Sequence, residues 1–225
     1  MEYILDNPAW HALSSGNKDL ANGNETAKYF AREVSPFVGI NEPTISNFNK
    51  LYETIPFAGS FGFISPVEIE FPLPWKVVKC MRVLQMTFEG PLTQTIDEKG
   101  IVPLNETHIP QMLDLTKLTN PGPFNDRTID FGHYRGIFDG DRLVAMAGQR
   151  MHPYNYAEIS AVCTHSDHLG KGYARKLLLN QVERIKAASE TPFLHVLADN
   201  TRAIKVYHDL GFKTRKEISI CIIQK

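Results

Sequence analysis

The clearest pattern of hydrophobic and polar positions lies in the last third of the chain. A mostly apolar run over residues 156–164 has the length and composition of a buried strand. Residues 173–188 then carry apolar side chains at helical spacing, which predicts an amphipathic helix with one buried stripe. The stripe consists of Ala174, Leu177, Leu178, Val182 and Ile185. A strand that runs directly into a helix is therefore expected here.

A second strand and helix follow, and the last residues predict further strand. Residues 193–197 form another short apolar run. Asn200 suits the cap of a helix over residues 201–210, because its side chain can accept a hydrogen bond from the first turn. Gly211 can take the left-handed conformation that ends such a helix. Residues 213–223 predict one or two strands that complete the sheet.

Upstream of this region the pattern predicts a helix and a hairpin. Residues 106–118 show helical spacing, and a loop separates them from two apolar runs at 134–138 and 143–150. The sequence Asp-Gly-Asp at 139–141 joins these runs and is a strong hairpin signal. Residues 93–225 are therefore expected to form an α/β domain.

Residues 1–92 are expected to form a separate N-terminal α/β region. The boundary is predicted by Gly90-Pro91 and the polar sequence TQTIDEKG, which interrupt the hydrophobic blocks. The predicted elements of this region are strands at 29–40, 61–64 and 77–88 and a helix at 45–52.

Composition narrows the class of protein. The chain has 225 residues of which 43% are hydrophobic, enough for one large or two small cores. Lysine and arginine total 24 against 25 acidic residues, and this near-neutral balance argues against a nucleic-acid partner or an anionic membrane surface.

The cysteines and the first residues bear on location. Cys80, Cys163 and Cys221 have no C-x-x-C spacing, so neither a disulfide framework nor a zinc site is predicted. The N-terminal sequence has no basic region followed by an apolar run, and no segment approaches the roughly 18 apolar residues of a membrane span. We therefore expect a cytoplasmic protein that is neither exported nor inserted in a membrane.

The segment HSDHLGKGYAR at residues 165–175 carries the main functional signal. Gly170 and Gly172 permit unusual dihedrals just before a helix whose first N–H groups are unpaired, which is an arrangement suited to phosphate. A glycine-rich turn can equally be a tight connection without a ligand. A dinucleotide fingerprint fails because Arg175 stands where its last glycine belongs, and a P-loop fails because Gly172 follows Lys171.

With its flanks, this segment resembles the acyl-CoA binding core of the GNAT superfamily of N-acyltransferases, most of all its FR47-like branch. YAEISAVCT resembles the family's central strand, LGKGYA its Q/R-x-x-G-x-G/A loop and NTRAIKVYHDLGF its final helix. Leu169 departs from the usual Gln or Arg, which should matter little because the loop binds through backbone amides. The resemblance implies a mixed, mostly antiparallel sheet flanked by helices. One interpretation of residues 1–92 is a degenerate GNAT-like unit.

The resemblance also implies an activity. It is the transfer of an acetyl group from acetyl-CoA directly to a primary amine of a small molecule or peptide, in a ternary complex and without a metal. A homodimer is one arrangement to expect, and a CoA-binding sensor without transfer activity is the alternative function. The expected cofactor-binding residues are Val162, Cys163, Thr164, Leu169, Gly170, Lys171, Gly172, Tyr173, Ala174, Asn200, Ala203 and Tyr207.

Two catalytic residues are expected. Glu158 is the candidate base, because strand alternation puts it on the same face as residues leading to the loop, and family members use a glutamate at the matching position. The alternatives for Glu158 are an exposed strand residue or a structural ion pair. Tyr207 is the candidate acid, because the family's tyrosine lies beside the CoA sulfur, and its alternative is a core tyrosine. Asn200 is expected to combine capping with a contact to the ligand.

The remaining polar residues near the loop receive lesser roles. Strand alternation puts Cys163 on the face opposite Glu158, so a buried thiol is expected rather than an acyl-carrying nucleophile. His195 is expected to be structural, and His165 and His168 solvated or near the ligand. Arg175 and Lys176 are expected to add positive charge, like Lys171.

Selection of the acceptor is expected to depend on other parts of the chain. These are the loop at residues 119–131, Tyr154, Tyr156 and the N-terminal half.

Overall fold

A small N-terminal sheet opens the structure, a computed structural model that describes residues 3–93 and 97–225. Its three strands are antiparallel, and two helices accompany them. The elements are α1 Pro8–Leu13, β1 Ala21–Gly23, β2 Ala27–Phe30, β3 Val38–Ile40 and α2 Ile45–Thr54. The strand predicted over 29–40 is therefore two strands. A turn and Pro36, which has no N–H for a ladder, separate them.

The other strands form one mixed sheet, whose order is β4-β11-β5-β10-β9-β8-β7-β6. Within the described pairing only β9 and β10 are parallel. The strands are β4 Ser60–Ser65, β5 Lys76–Thr87, β6 Ile101–Pro103, β7 Arg135–Asp139, β8 Arg142–Gln149, β9 Tyr156–Thr164, β10 Thr191–Leu197 and β11 Lys213–Gln224. This is the mixed, mostly antiparallel sheet that the family resemblance implies, so that prediction is confirmed.

Helices cover both faces of this sheet. They are α3 Ile109–Thr119, α4 Tyr173–Ala187 and α5 Thr201–Leu210. Helix α3 packs in one hydrophobic cluster, and α4 and α5 pack together in another. The side chain of Asn200 accepts a hydrogen bond from the Ala203 N–H at 3.1 Å, and Gly211 has φ +109°. Both predicted ends of α5 are confirmed.

The large sheet crosses the boundary predicted between residues 92 and 93. Strand β5 pairs with β10 on one side and β11 on the other, and β4 pairs with β11. Both sides of the boundary therefore share one core, which corrects the predicted division. The glycine and proline signals mark a loop, but they do not show whether the strands beside it pair. Residues 94–96 of this segment lie outside the described residues.

Two cysteines join β5 to β11. Cys80 and Cys221 are directly opposite each other in the ladder and form a disulfide, while Cys163 is free and buried. This corrects the expectation of unlinked cysteines. The two residues are 141 positions apart, so their spacing in the sequence does not indicate that they pair.

Among the helices that the structure describes, none has the length and the apolar content of a transmembrane helix.

We expect a fragment of residues 93–225 not to fold alone, because it lacks β5 and leaves β10 and β11 without their shared partner. Circular dichroism during urea titration and an amide NMR spectrum would check this, with the full chain as control. Cooperative unfolding and a dispersed spectrum from the fragment would contradict it.

Candidate active site

The site begins where the two parallel strands of the sheet separate. The last pair between β9 and β10 is Glu158 with Phe193. Beyond it, β10 continues beside β5 as far as the pair Leu197 and Val83, while β9 continues to Thr164. A cleft opens between the two carboxyl ends. Ligands commonly bind at such a place in α/β sheets.

A bulge in β9 changes the direction of the side chains at the cleft. Ser160 pairs with Gly148 and Cys163 pairs with Met146, so two residues of β9 face one residue of β8. Ala161 has φ +52°, a conformation that alanine rarely adopts. The bulge shifts every later side chain of β9 to the other face.

This shift corrects the predicted position of Cys163. Ile159 packs in the cluster of α4, whereas Cys163 packs in the cluster of α3, so the two residues lie on opposite faces. The simple alternation fails because it assumes an unbroken strand. Burial raises the pKa of Cys163 to about 11, so its thiol remains protonated and is a poor nucleophile.

The glycine loop has the backbone needed for an anion site. Gly170 and Gly172 have φ +78° and +79°, and the space where a Cβ would lie is open at both. Helix α4 follows at once, and its first backbone bond joins the Lys176 N–H to the Gly172 carbonyl at 3.0 Å. The N–H groups of Tyr173 and Ala174 therefore precede the intrahelical ladder, where an anion is bound most readily.

The loop and the strand ends line one cleft of about 1040 Å³. Most of the predicted cofactor-binding residues meet there. They are Val162, Cys163, Thr164, Leu169, Gly170, Gly172, Tyr173, Ala174, Asn200, Ala203 and Tyr207.

Lys171 is the predicted residue that does not line the cleft. Its Nζ lies 3.1 Å from Nδ1 of His168, which does line it. Of the other basic residues expected nearby, Arg175 lines the cleft and Lys176 is bound to Asp97 at 2.8 Å.

Two hydroxyl groups are available to a ligand. Thr164 Oγ1 is buried and has no hydrogen-bond partner within the described part of the chain. A buried polar group without a partner is costly, which favours a ligand at this point. Tyr207 is half-buried, and no hydrogen bond of its hydroxyl is described among residues 3–93 and 97–225. Burial raises the pKa of Tyr207 to about 12, so the hydroxyl keeps its proton at neutral pH.

Glu158 lies behind the wall of the cleft and is fully buried. Arg150 donates from Nε to Oε2 at 2.9 Å and from Nη2 to Oε1 at 2.5 Å, and His195 Nδ1 lies 2.7 Å from Oε1. The Met151 N–H adds a contact of 3.3 Å to Oε2. Burial alone would raise the pKa of Glu158, but Arg150 and His195 outweigh it and hold this pKa well below its usual range. This geometry favours the structural ion pair over a base.

The hydrogen-bond network fixes the proton on His195. Gln85 donates from Nε2 to the Leu5 carbonyl at 2.9 Å, and its Oε1 accepts from Arg215, so its amide orientation is defined. The same Nε2 lies 2.9 Å from Nε2 of His195 and must donate to it. His195 therefore carries its proton on Nδ1 and donates to Glu158. Both ring nitrogens have partners, as expected of a structural histidine.

A second wall of the cleft comes from residues that the sequence did not single out. They are Pro36, Phe37, Gly62, Lys79, Met81, Val83, Arg150, Ile220 and Ile222. Residues 119–123 of the predicted acceptor loop also line it, whereas Tyr154 and Tyr156 are not among its lining residues. The sequence offers one signal for Arg150 as a site residue, because it is a single charged residue directly after the apolar strand β8.

Comparison with known proteins identifies the family. The model of the FR47-like protein family matches residues 134–220. A GNAT-family protein from Novosphingobium aromaticivorans DSM 12444 is 31% identical, with a TM-score of 0.92 and coverage of 100% of this chain and 99% of that one. A GCN5-related N-acetyltransferase from Kribbella flavida has the same fold at 13% identity, with a TM-score of 0.61 and coverage of 95% and 93%. No curated protein matches the chain.

The fold is that of the GNAT acetyltransferase structures. The chain belongs to the GNAT family.

We expect Gly172→Ala to lower the free energy of unfolding by about 1–2 kcal/mol, because an L side chain is strained at positive φ. Gly90→Ala is the control, since Gly90 also faces open space but has no positive φ. Urea denaturation measures both. Equal losses would contradict the strain argument.

We expect Glu158→Gln to lower the free energy of unfolding by about 3–5 kcal/mol at pH 7, because it leaves the Arg150 charge buried without its partner. The control is Glu217→Gln, whose ion pair with Arg82 is exposed and worth about 1 kcal/mol or less. Urea denaturation of the three proteins gives the values.

The effect of Glu158→Gln has a defined pH dependence. Because the folded-state pKa of Glu158 is lowered, its stabilisation is present above the ordinary carboxyl pKa and is lost as the pH falls. The difference between wild type and Glu158→Gln should therefore shrink in acid. A difference that grows as the pH falls would contradict the ion pair.

Proposed function

We propose that this chain is an acetyl-CoA-dependent N-acetyltransferase that moves the acetyl group directly to the primary amine of a small molecule or peptide. The observation that carries the proposal is the convergence of three features in one cleft. A glycine loop before α4 suits a pyrophosphate, the separated end of β9 borders the same space, and Tyr207 supplies a hydroxyl there.

The cleft residues from the end of β9, the glycine loop and the starts of α4 and α5 form a first wall, and they fit acetyl-CoA. The N–H groups at the start of α4 and the side chain of Arg175 would hold phosphate oxygens. The described pairing of β9 with β10 ends at Glu158, so later backbone groups of β9 can bond with the amides of a pantetheine arm. Thr164 Oγ1 offers a further polar contact.

Tyr207 is the proposed proton donor to the leaving thiolate. Its raised pKa keeps the hydroxyl protonated at neutral pH, although it also makes the phenol a weaker acid. A thiolate released in the same half-buried cleft is destabilised by desolvation too, which makes it a stronger base. The raised pKa of Tyr207 makes proton transfer to the thiolate less favourable, and the desolvation of the thiolate makes it more favourable.

Glu158 enters the proposal as a positioning residue. Its oxygens already accept hydrogen bonds from Arg150 and His195, so it fixes these two side chains in the wall of the cleft. The acceptor ammonium would then lose one proton to water before attack and a second as the C–N bond forms and the C–S bond breaks. Tyr207, having protonated the leaving thiolate, would regain its proton from solvent. Neighbouring cations favour the first loss, because they disfavour a charged ammonium.

A CoA-binding sensor is the second candidate function. The observation in its favour concerns Glu158, which lies where β9 and β10 separate. Both of its carboxylate oxygens already accept hydrogen bonds, so neither is free to act as a base. Such a protein would bind CoA and release no thiol.

We expect Tyr207→Phe to lower kcat about 100-fold, because it removes the general acid, while the affinity for CoA changes little. Tyr29→Phe in β2 is the control, since Tyr29 does not line the cleft. Thiol release measures transfer, and the rise in melting temperature with acetyl-CoA measures binding.

The outcomes separate the two functions. Binding of acetyl-CoA without thiol release in the wild type would favour the sensor. No stabilisation by any acyl-CoA would remove both candidates, and an unchanged kcat in Tyr207→Phe would remove Tyr207 from the acid role.

A further inference from the structure

The charges lining the cleft have one sign. Its charged side chains are Lys79, Arg150, Arg175 and Arg202, and no aspartate or glutamate of the described residues lines it. Arg175 belongs to the first turn of α4, which follows the glycine loop, and Arg202 to the first turn of α5. Both line the same cleft as the loop and suit the phosphates of CoA. Lys79 and Arg150 lie in the second wall. If the phosphates of CoA bind at the loop and the helix starts, Lys79 and Arg150 remain for a second ligand.

Arg150 has hydrogen-bond donors that Glu158 does not use. Its Nε and Nη2 bind Glu158, and no acceptor for Nη1 is described within residues 3–93 and 97–225. Its side chain is 10% exposed, and it is this buried group that lines the cleft. The guanidinium carbon lies 4.7 Å from the centre of the Phe37 ring. A planar acceptor placed in the cleft could therefore bind the remaining N–H groups of Arg150.

Lys79 and Gly62, on which Phe37 packs, are linked across the sheet by one shared partner. Lys79 pairs with Ile222, and Ile222 pairs with Gly62. The Phe37 ring packs on Gly62, where a Cβ would lie 2.9 Å from it. Neighbouring strands are about 4.8 Å apart, so the backbones of Lys79 and Gly62 are about 10 Å apart. The two cations thus flank an apolar floor made by Ile222 and Phe37.

The second wall therefore carries a net positive charge. Glu158 compensates the charge of Arg150, and in the described part of the chain Lys79 has no ion pair. A carboxylate complements this wall through charge-assisted hydrogen bonds. A second ammonium, as in a polyamine or an aminoglycoside, would meet charges of its own sign.

We propose that the acceptor is an amine that also carries a carboxylate, as an α-amino acid does. The carboxylate pairs with Lys79, which has no ion pair in the described part of the chain, while Arg150 adds positive charge from the other side of the floor. The apolar floor then receives the side chain of this acceptor. This inference rests on the proposed transferase function, since it names the second substrate of the same cleft.

The test compares matched acceptors. Thiol release from acetyl-CoA is measured with leucine and phenylalanine, with their amides, with the corresponding amines that lack the carboxyl group, and with putrescine. We expect kcat/KM for the amino acids to exceed that for the amides about tenfold or more, because only a carboxylate forms the charge-assisted bonds.

A variant assigns the effect to Lys79. Lys79→Gln should lower kcat/KM for the amino acids about tenfold and leave the amides unchanged, since it removes one charge-assisted contact. Lys76→Gln is the matched control, because Lys76 is an exposed lysine of the same strand that does not line the cleft.

Three results overturn the proposal, and they are distinguishable. If amides or simple amines serve as well as amino acids, the acceptor class is wrong and the transferase function stands. If Lys79→Gln lowers both series equally, Lys79 is not the carboxylate contact. If acetyl-CoA stabilises the protein and no acceptor releases thiol, the transferase function itself fails.

Discussion

The separation of β9 from β10 beyond Glu158 is the constraint on which the rest of the site depends. Where the two strands pair, the sheet is closed, and where they part, it has room for a ligand. A buried carboxylate stands at the fork. Because a buried charge is stable only when it is paired and hydrogen-bonded, Glu158 holds Arg150 and His195 in place on either side of the opening.

This network also joins the N-terminal segment to the site. Gln85 of β5 contacts His195 and the Leu5 carbonyl, and Arg215 of β11 binds both Gln85 and Asp6. The first residues therefore support the fork, and β4 and β5 supply its second wall. Because β5 lies inside the large sheet and β4 at its edge, the two halves of the chain share one core, and the cleft is lined by residues from both.

The local elements could be predicted from the sequence, and the contacts between distant elements could not. Periodicity and capping identified β9 and α5, because the relevant residues are neighbours in the chain. The bulge at Ala161 gave no such signal, since alanine is not a residue that marks positive φ. Lys79 and Arg150 come together only through the order of the strands. The glycine loop was predictable, and the environment that makes Glu158 an ion-pair partner was not.

Mass spectrometry with acetyl-CoA labelled in its acetyl group tests the central claim most directly. The protein is mixed with labelled acetyl-CoA and a set of amines, and both the small molecules and the intact protein are weighed. Direct transfer in the cleft predicts that the label appears on the amino group of an acceptor and that the protein remains unlabelled. Label on Cys163, or no labelled acceptor while acetyl-CoA is bound, would contradict the account.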